Sequence, residues 1–281
     1  MTILEERAWA KLNLSLAVLG KRPDGYHELD MVMQSVSLCD EVHIAVSDSG
    51  PWSVIGENMP LDQSNLAWKA AEAYFEGISQ RPGLAIAIEK RIPSQAGLGG
   101  GSADAAAVLR ALNRHYGFHS PEELARRALI VGSDVPYCLA GGTKRAGGRG
   151  ERLSALQALP DCAIVIVKPS CACSTAALYA AIDREPEIPQ PDTSALLDAL
   201  DREDLPAIGA SLCNAFEPLA SREHPQIAAL LAQLRGSGCL GAAMTGSGSA
   251  CFALYGEEAA ARRAADDLKA ADRQIFLARP V

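Results

Sequence analysis

The sequence predicts an α+β fold in two parts, and three observations carry that reading. Apolar residues alternate at Val42, Ile44 and Val46 and again at Leu84, Ile86 and Ile88, the period of a half-buried strand. From Ser102 the spacing changes to Ala105, Val108, Leu109 and Leu112, one face of a helix. Both patterns recur beyond a soft boundary at residues 150–160, so residues 1–155 and 156–281 are expected to form an N-terminal and a C-terminal domain.

The elements follow in order. Ser120, Pro121, Glu122 and Glu123 read as a capping box, with Ser120 as N-cap, Pro121 at the first helical position and Glu123 reaching back. That helix is expected to run to Val131 and stop at Gly132. The glycine-rich residues 140–150 read as a loop, and residues 163–167 as a buried strand. Pro186, Pro189 and Pro191 make residues 185–192 a loop. Helices are expected at 194–201, 204–213 and 225–235, the last closed by Gly236, with Gly238 and Gly241 in a turn. A strand at 250–255, a helix at 257–271 and a strand at 275–279 complete the chain.

Composition excludes several classes. With 48% hydrophobic and 21% charged residues, the chain is too apolar for disorder. Its longest apolar run, Ala176 to Ile182, has seven residues, far below the ~20 that span a bilayer. No secretory signal opens the sequence, so a cytoplasmic protein that does not engage a membrane is expected. Lys and Arg total 26 against 34 Asp and Glu, a net charge of −8. Nucleic-acid binding, which needs a basic face, is not expected. Of eight cysteines only Cys171 and Cys173 are close, and no second pair stands at zinc-ligand spacing. They read as small packed hydrophobes, neither a metal site nor a disulfide framework.

One segment carries chemistry on its face. Pro93, Ser94, Gln95, Ala96, Gly97, Leu98, Gly99, Gly100, Gly101, Ser102 and Ala103 lie between a predicted strand and a predicted helix. Four glycines in the five positions 97–101 let backbone amides approach a bulky anion. The following helix aims its unpaired N–H groups at the same place. A polyphosphate is the ligand this suits. The pattern is neither G-x-x-x-x-G-K-[ST] nor G-x-G-x-x-G, because Ser102 or Asp104 stands where the latter needs glycine.

This loop resembles the phosphate loop of the GHMP kinases. Two further segments are similar to that family: residues 10–16 (AKLNLSL) with residues 20–29 (GKRPDGYHEL), and residues 244–252 (MTGSGSACF). Residues 132–136 and 150–153 also agree. The resemblance implies two α+β domains, the first like domain 2 of ribosomal protein S5 and the second ferredoxin-like. It implies ATP, accompanied by Mg²⁺, as phosphoryl donor. Within the family, the DGYHEL segment resembles members whose alcohol acceptor carries a cytidine diphosphate group.

The resemblance also assigns roles that spacing alone does not. By pattern, Asp134 is an N-cap and Lys11 a solvent-facing lysine, with Asn13 and Ser15 on its face of the strand. By resemblance, Asp134 is the catalytic base and Lys11 its paired active-site lysine, with Asn13 binding the acceptor. Tyr26 and His27, after the turn at Pro23, Asp24 and Gly25, are implied to hold cytosine, together with Thr175 and Tyr179. Tyr179 at helical spacing suits core packing equally well. Asn65 and Lys90 match positions that contact adenine, and Gly246, Ser247 and Gly248 form a second loop that closes the site. Ala103 stands where a second serine is usual in these members, so no metal ligand is assigned. Two other readings share these features: another GHMP kinase, such as a homoserine kinase, or a non-catalytic S5-like binding module.

Overall fold

The computed structural model describes every residue except 186 and 189, so the loop expected at 185–192 lies partly outside the described residues. The chain forms two compact units, and two long strands contribute to both. The first unit comprises Met1–Ala10, Leu38–Ser94 and Gly99–Gly141; the second comprises Lys11–Ser37, Gln95–Leu98 and Gly142–Val281. The shared strands are β1 (Thr2–Lys21) and β2 (His27–Ser47).

In the first unit β3 (Trp52–Gly56), α1 (Leu66–Phe75), β4 (Gly83–Glu89), α2 (Gly100–Tyr116), α3 (Pro121–Val131) and α4 (Val135–Ala140) follow β2. The end of β2 pairs antiparallel with β4, from Glu41 opposite Glu89 to Ser47 opposite Gly83. β3 lies parallel to β4 on its other side. Val42, Ile44, Val46, Leu84, Ile86 and Ile88 are all buried, as their alternation requires. α2 packs against α1, α3 and α4 and buries Ala105, Val108, Leu109 and Leu112.

Ser120 caps α3, accepting the amide of Glu123, and Gly132 ends it. The Glu122 carboxylate is held below its usual range by its own amide and by the Ser120 hydroxyl. Glu123 instead pairs with Arg127 at 2.9 Å, because an arginine one turn on competes for it.

The second unit holds β5 (Thr143–Gly148), β6 (Arg152–Ala155), β7 (Ala163–Pro169), α5 (Thr175–Arg184), α6 (Thr193–Asp201), α7 (Leu205–Ala210), β8 (Cys213–Asn214), α8 (Glu217–Glu223), α9 (Pro225–Arg235), β9 (Gly241–Met244), β10 (Cys251–Tyr255), α10 (Glu258–Asp267) and β11 (Arg273–Ala278). Its first sheet joins β5 to the start of β2, with Leu29 opposite Gly148 and Gln34 opposite Thr143, and β8 to β1. Its second sheet is antiparallel in the order β11-β7-β10-β9, and α9 and α10 pack on it.

Three expectations are corrected here. Residues 143–148, read as loop from their glycines, form β5, because pairing with β2 outweighs their weak strand propensity. The helix expected at 204–213 ends at Ala210 and gives way to β8. Gly241 is not in a turn but opens β9, where a Cβ would overlap the carbonyl of Gly209. Among the described residues no helix is long and apolar enough to cross a membrane.

Candidate active site

In the first unit, chemistry gathers at the start of α2. Gly99 is the N-cap, in left-handed conformation (φ 71°, ψ 19°), and no side chain caps the helix. Its first-turn amides and positive end therefore remain available to an anion. The helix opens at Gly100, two residues before the expected start at Ser102.

Behind that turn lies an ionic cluster that spacing alone did not disclose. Lys90 donates from Nζ to Asp40 Oδ2 at 2.5 Å and to Asp104 Oδ2 at 2.6 Å. Asp40 Oδ1 accepts the amides of Arg91 (2.5 Å) and Ile92 (2.8 Å). Asp40 and Asp104 are buried, and Asp104 Oδ1 has no hydrogen-bond partner. The one available signal was a carboxylate, Asp104, inside the run of buried alanines at Ala103, Ala105, Ala106 and Ala107.

Burial pushes the Asp104 carboxyl up to about 7, with Asp40 adding to the shift and Lys90 opposing it. Desolvation alone would lower Lys90, but the two carboxylates outweigh it and hold the ammonium above its usual range. Between the ordinary 3.8 and about 7 the folded protein keeps a proton that the unfolded chain has lost, so this group's contribution falls as pH rises through that window. Asp104→Asn is therefore expected to gain stability relative to wild type as pH rises from about 5 to 7.5. Urea midpoints across that range check it; a constant difference would exclude a proton on Asp104.

The two residues expected at adenine have other partners. Asn65 caps α1, accepting the amide of Ala67 at 2.8 Å, and donates to the carbonyl of Pro60 at 2.7 Å. Lys90 is held as described. Asp134 occupies the N-cap position of α4 but in αR conformation, and its carboxylate does not cap the helix.

In the second unit, Lys11 and Asn13 lie on β1, whose two faces are both buried there; Lys11 is 4% exposed, not solvent-facing. Lys11 Nζ donates to Asn13 Oδ1 at 2.6 Å. The backbone around Gly97 meets the second glycine loop directly. Thr245 Oγ1 accepts the Asn13 amide (3.0 Å) and donates to the Gly97 carbonyl (3.4 Å). A Cβ on Gly246 would lie 3.1 Å from Lys11 Nζ. Asn214 pins this loop, donating to the carbonyls of Met244 and Gly246 at 2.8 Å each. Thr245 and Asn214 were missed because only tertiary closure brings them to β1.

A second cluster of this unit is aromatic. His27, 9% exposed, stacks on Tyr179 with ring centroids 4.5 Å apart and planes at 19°. Tyr179 meets Phe216 edge-on at 4.9 Å. Asp183, also missed from sequence, lies with Oδ1 2.7 Å from His27 Nε2, and Lys21 donates to its other oxygen at 2.9 Å. These bonds, that to His27 first, hold the Asp183 carboxyl below its usual range, and an ionised carboxylate only accepts, so His27 Nε2 carries the proton. Thr175 opens α5 with its hydroxyl 2.7 Å from that of Ser247. Tyr26 is exposed, with the Arg149 guanidinium 4.4 Å above its ring.

Comparison with known proteins identifies the family. Residues 65–142 match the GHMP kinases N terminal domain and residues 196–274 the GHMP kinases C terminal domain. A 4-diphosphocytidyl-2-C-methyl-D-erythritol kinase of Pelotomaculum thermopropionicum is 43% identical over 281 residues, 99% of this chain and 98% of that one. Its counterpart in Caldicellulosiruptor saccharolyticus is 40% identical over 96% of this chain and 94% of that one. A crystal structure of 4-(cytidine 5′-diphospho)-2C-methyl-D-erythritol kinase superposes with a TM-score of 0.85 at 38% identity, covering 98% of both chains. A homoserine kinase from Cytophaga hutchinsonii, 19% identical, shares the fold with a TM-score of 0.77 over 99% of this chain and 94% of that one. Both halves of the sequence and the full-length identities lead to one assignment: the chain belongs to the GHMP kinase family.

Proposed function

We propose that this ATP-dependent kinase phosphorylates the 2-hydroxyl of 4-diphosphocytidyl-2-C-methyl-D-erythritol, in the non-mevalonate route to isoprenoid precursors. The observation that carries this reading is the identity of 40–43% over nearly the whole chain with relatives named for that acceptor. The homoserine kinase shares 19%, the level at which fold alone is common. The stacked His27 and Tyr179, oriented by Asp183, offer a planar apolar surface beside fixed polar atoms, which suits a pyrimidine.

The residues divide the work. Residues 93–103 take the triphosphate, for which the uncapped first turn of α2 is fitted. Mg²⁺ comes with the nucleotide and neutralises charge on the transferring phosphoryl group. Ala103 has no hydroxyl, so Ser102 is the one side chain of the first turn that could join its coordination. Asp134 accepts the proton of the attacking hydroxyl, and Lys11 offsets charge in the transition state. Asn13 binds the acceptor near its reacting end. Tyr26, His27, Thr175 and Tyr179 hold its cytidine. Asn65 and Lys90 serve the nucleotide end through the frame, since their side chains are engaged elsewhere. Eight free thiols suit a reducing cytoplasm.

The test offers both acceptors to the enzyme with ATP and Mg²⁺ and follows ADP release and ³¹P spectra. Turnover of the cytidyl acceptor, with a new phosphomonoester on its erythritol, is expected. Turnover of homoserine alone would overturn the assignment.

A further inference from the structure

The Lys90 ammonium is engaged by Asp40 and Asp104, and the cluster joins three elements of the first unit. Asp40 stands in β2, Lys90 directly follows β4, and Asp104 lies on the second turn of α2. Asp40 uses its remaining oxygen on the amides of Arg91 and Ile92, the two residues that lead into the loop at 93–103. Gly100 closes over the same point: a Cβ there would lie 3.1 Å from Ile92 Cγ2 and 3.4 Å from Lys90 Nζ. One ammonium thus sets both the strand exit that feeds the phosphate loop and the helix start that ends it.

A buried ion cluster is a poor device for stability alone, because apolar side chains of the same volume usually do as well. What it supplies is direction, since charge-assisted hydrogen bonds hold their partners at fixed distances and angles. Two carboxylates against one ammonium, with one carboxylate oxygen left without a partner, also make the cluster neutral only when Asp104 keeps a proton. A neutral cluster adds no repulsion toward a polyanion at the helix start.

We propose that Lys90 is a positioning residue for nucleotide binding: by clamping Asp104 of α2 to Asp40 of β2, it fixes the direction of the uncapped turn that receives the triphosphate. The inference rests on the assignment of ATP to residues 93–103. It also differs from a direct contact between Lys90 and adenine, and the two readings separate experimentally.

The experiment measures ATP affinity by calorimetry on the full chain and, in parallel, KM for ATP and for the acceptor. Lys90→Met and Asp104→Leu are each expected to weaken ATP by at least tenfold while the acceptor KM stays within about twofold. The double variant should lose no more than either single one, because both remove the same clamp. That double variant also avoids leaving two buried carboxylates against no cation, so it keeps the test usable if Lys90→Met does not fold. Asp104→Asn, which preserves an acceptor for Lys90, is expected to bind ATP within about threefold of wild type. Loss of ATP affinity in Lys90→Met with none in Asp104→Leu would mean a direct contact and would overturn the proposal. Additive losses in the double variant, or equal losses for both substrates, would overturn it as well. Wild-type protein that fails to bind ATP would remove the assignment of the loop and this inference together.

Discussion

Asp134→Asn is expected to lower kcat by about 10²- to 10⁴-fold, the range a positioned base supplies, while KM for either substrate changes little. The attacking hydroxyl must lose its proton as the phosphoryl group arrives, and asparagine can orient that hydroxyl but cannot take the proton. The structure makes the substitution a clean probe. An aspartate that caps a helix takes β-region backbone angles and accepts an amide of the first turn; replacing it there costs roughly 1 kcal/mol. Asp134 takes αR angles (φ −84°, ψ −12°) and makes no such bond, so no cap is lost. The variant should thus lose no capping energy, while single-turnover phosphoryl transfer slows. A variant with unchanged kcat would remove Asp134 from the chemistry. A variant that loses stability instead would make it a structural residue.

How much of this was legible depends on whether the partners are near in sequence. Ser120 and Gly132 were read correctly because a helix end is decided within one turn. Val42, Ile44 and Val46 announced their face because strand alternation is local, and the same holds for Leu84, Ile86 and Ile88. The glycine loop was legible because strand, glycines and helix are contiguous. What failed was pairing at a distance. β5 looked like a loop until β2 supplied its hydrogen bonds. Asp40 and Lys90 are 50 residues apart, and nothing local in either predicts that they meet. Asn13 and Thr245 are 232 apart. Lys11 shows the limit in another way: alternation separated its face from that of the leucines, yet could not say that both faces of β1 are covered. A charged residue on a strand reads as exposed unless something else reports its burial.

Gly97→Ala is expected to cost about 2–5 kcal/mol and to abolish measurable ATP binding, from two separable causes. Gly97 has φ 75°, where any residue with a Cβ pays about 1–2 kcal/mol. Its added methyl would also overlap the Thr245 carbonyl and come within 3.1 Å of the Gly248 amide. These are backbone atoms, so no rotamer change clears the way, and forced overlap of this kind costs a further 1–3 kcal/mol or so. Relief by sliding the loop is blocked on both sides. The Leu98 carbonyl accepts the Lys11 amide at 3.0 Å, and the Ala96 carbonyl accepts the Ala250 amide at 3.1 Å. Movement at Gly97 therefore disturbs the strand that carries Lys11 and the loop that carries Gly246 and Gly248. Gly117 isolates the first cause: it has φ 66° and nothing within 4 Å of where its Cβ would stand. Gly117→Ala should cost only the conformational share and leave ATP binding intact. Denaturant unfolding and calorimetry on the two variants decide the matter. Equal losses of stability would mean that the two glycine loops yield to one another, and that glycine at position 97 serves its backbone angle alone.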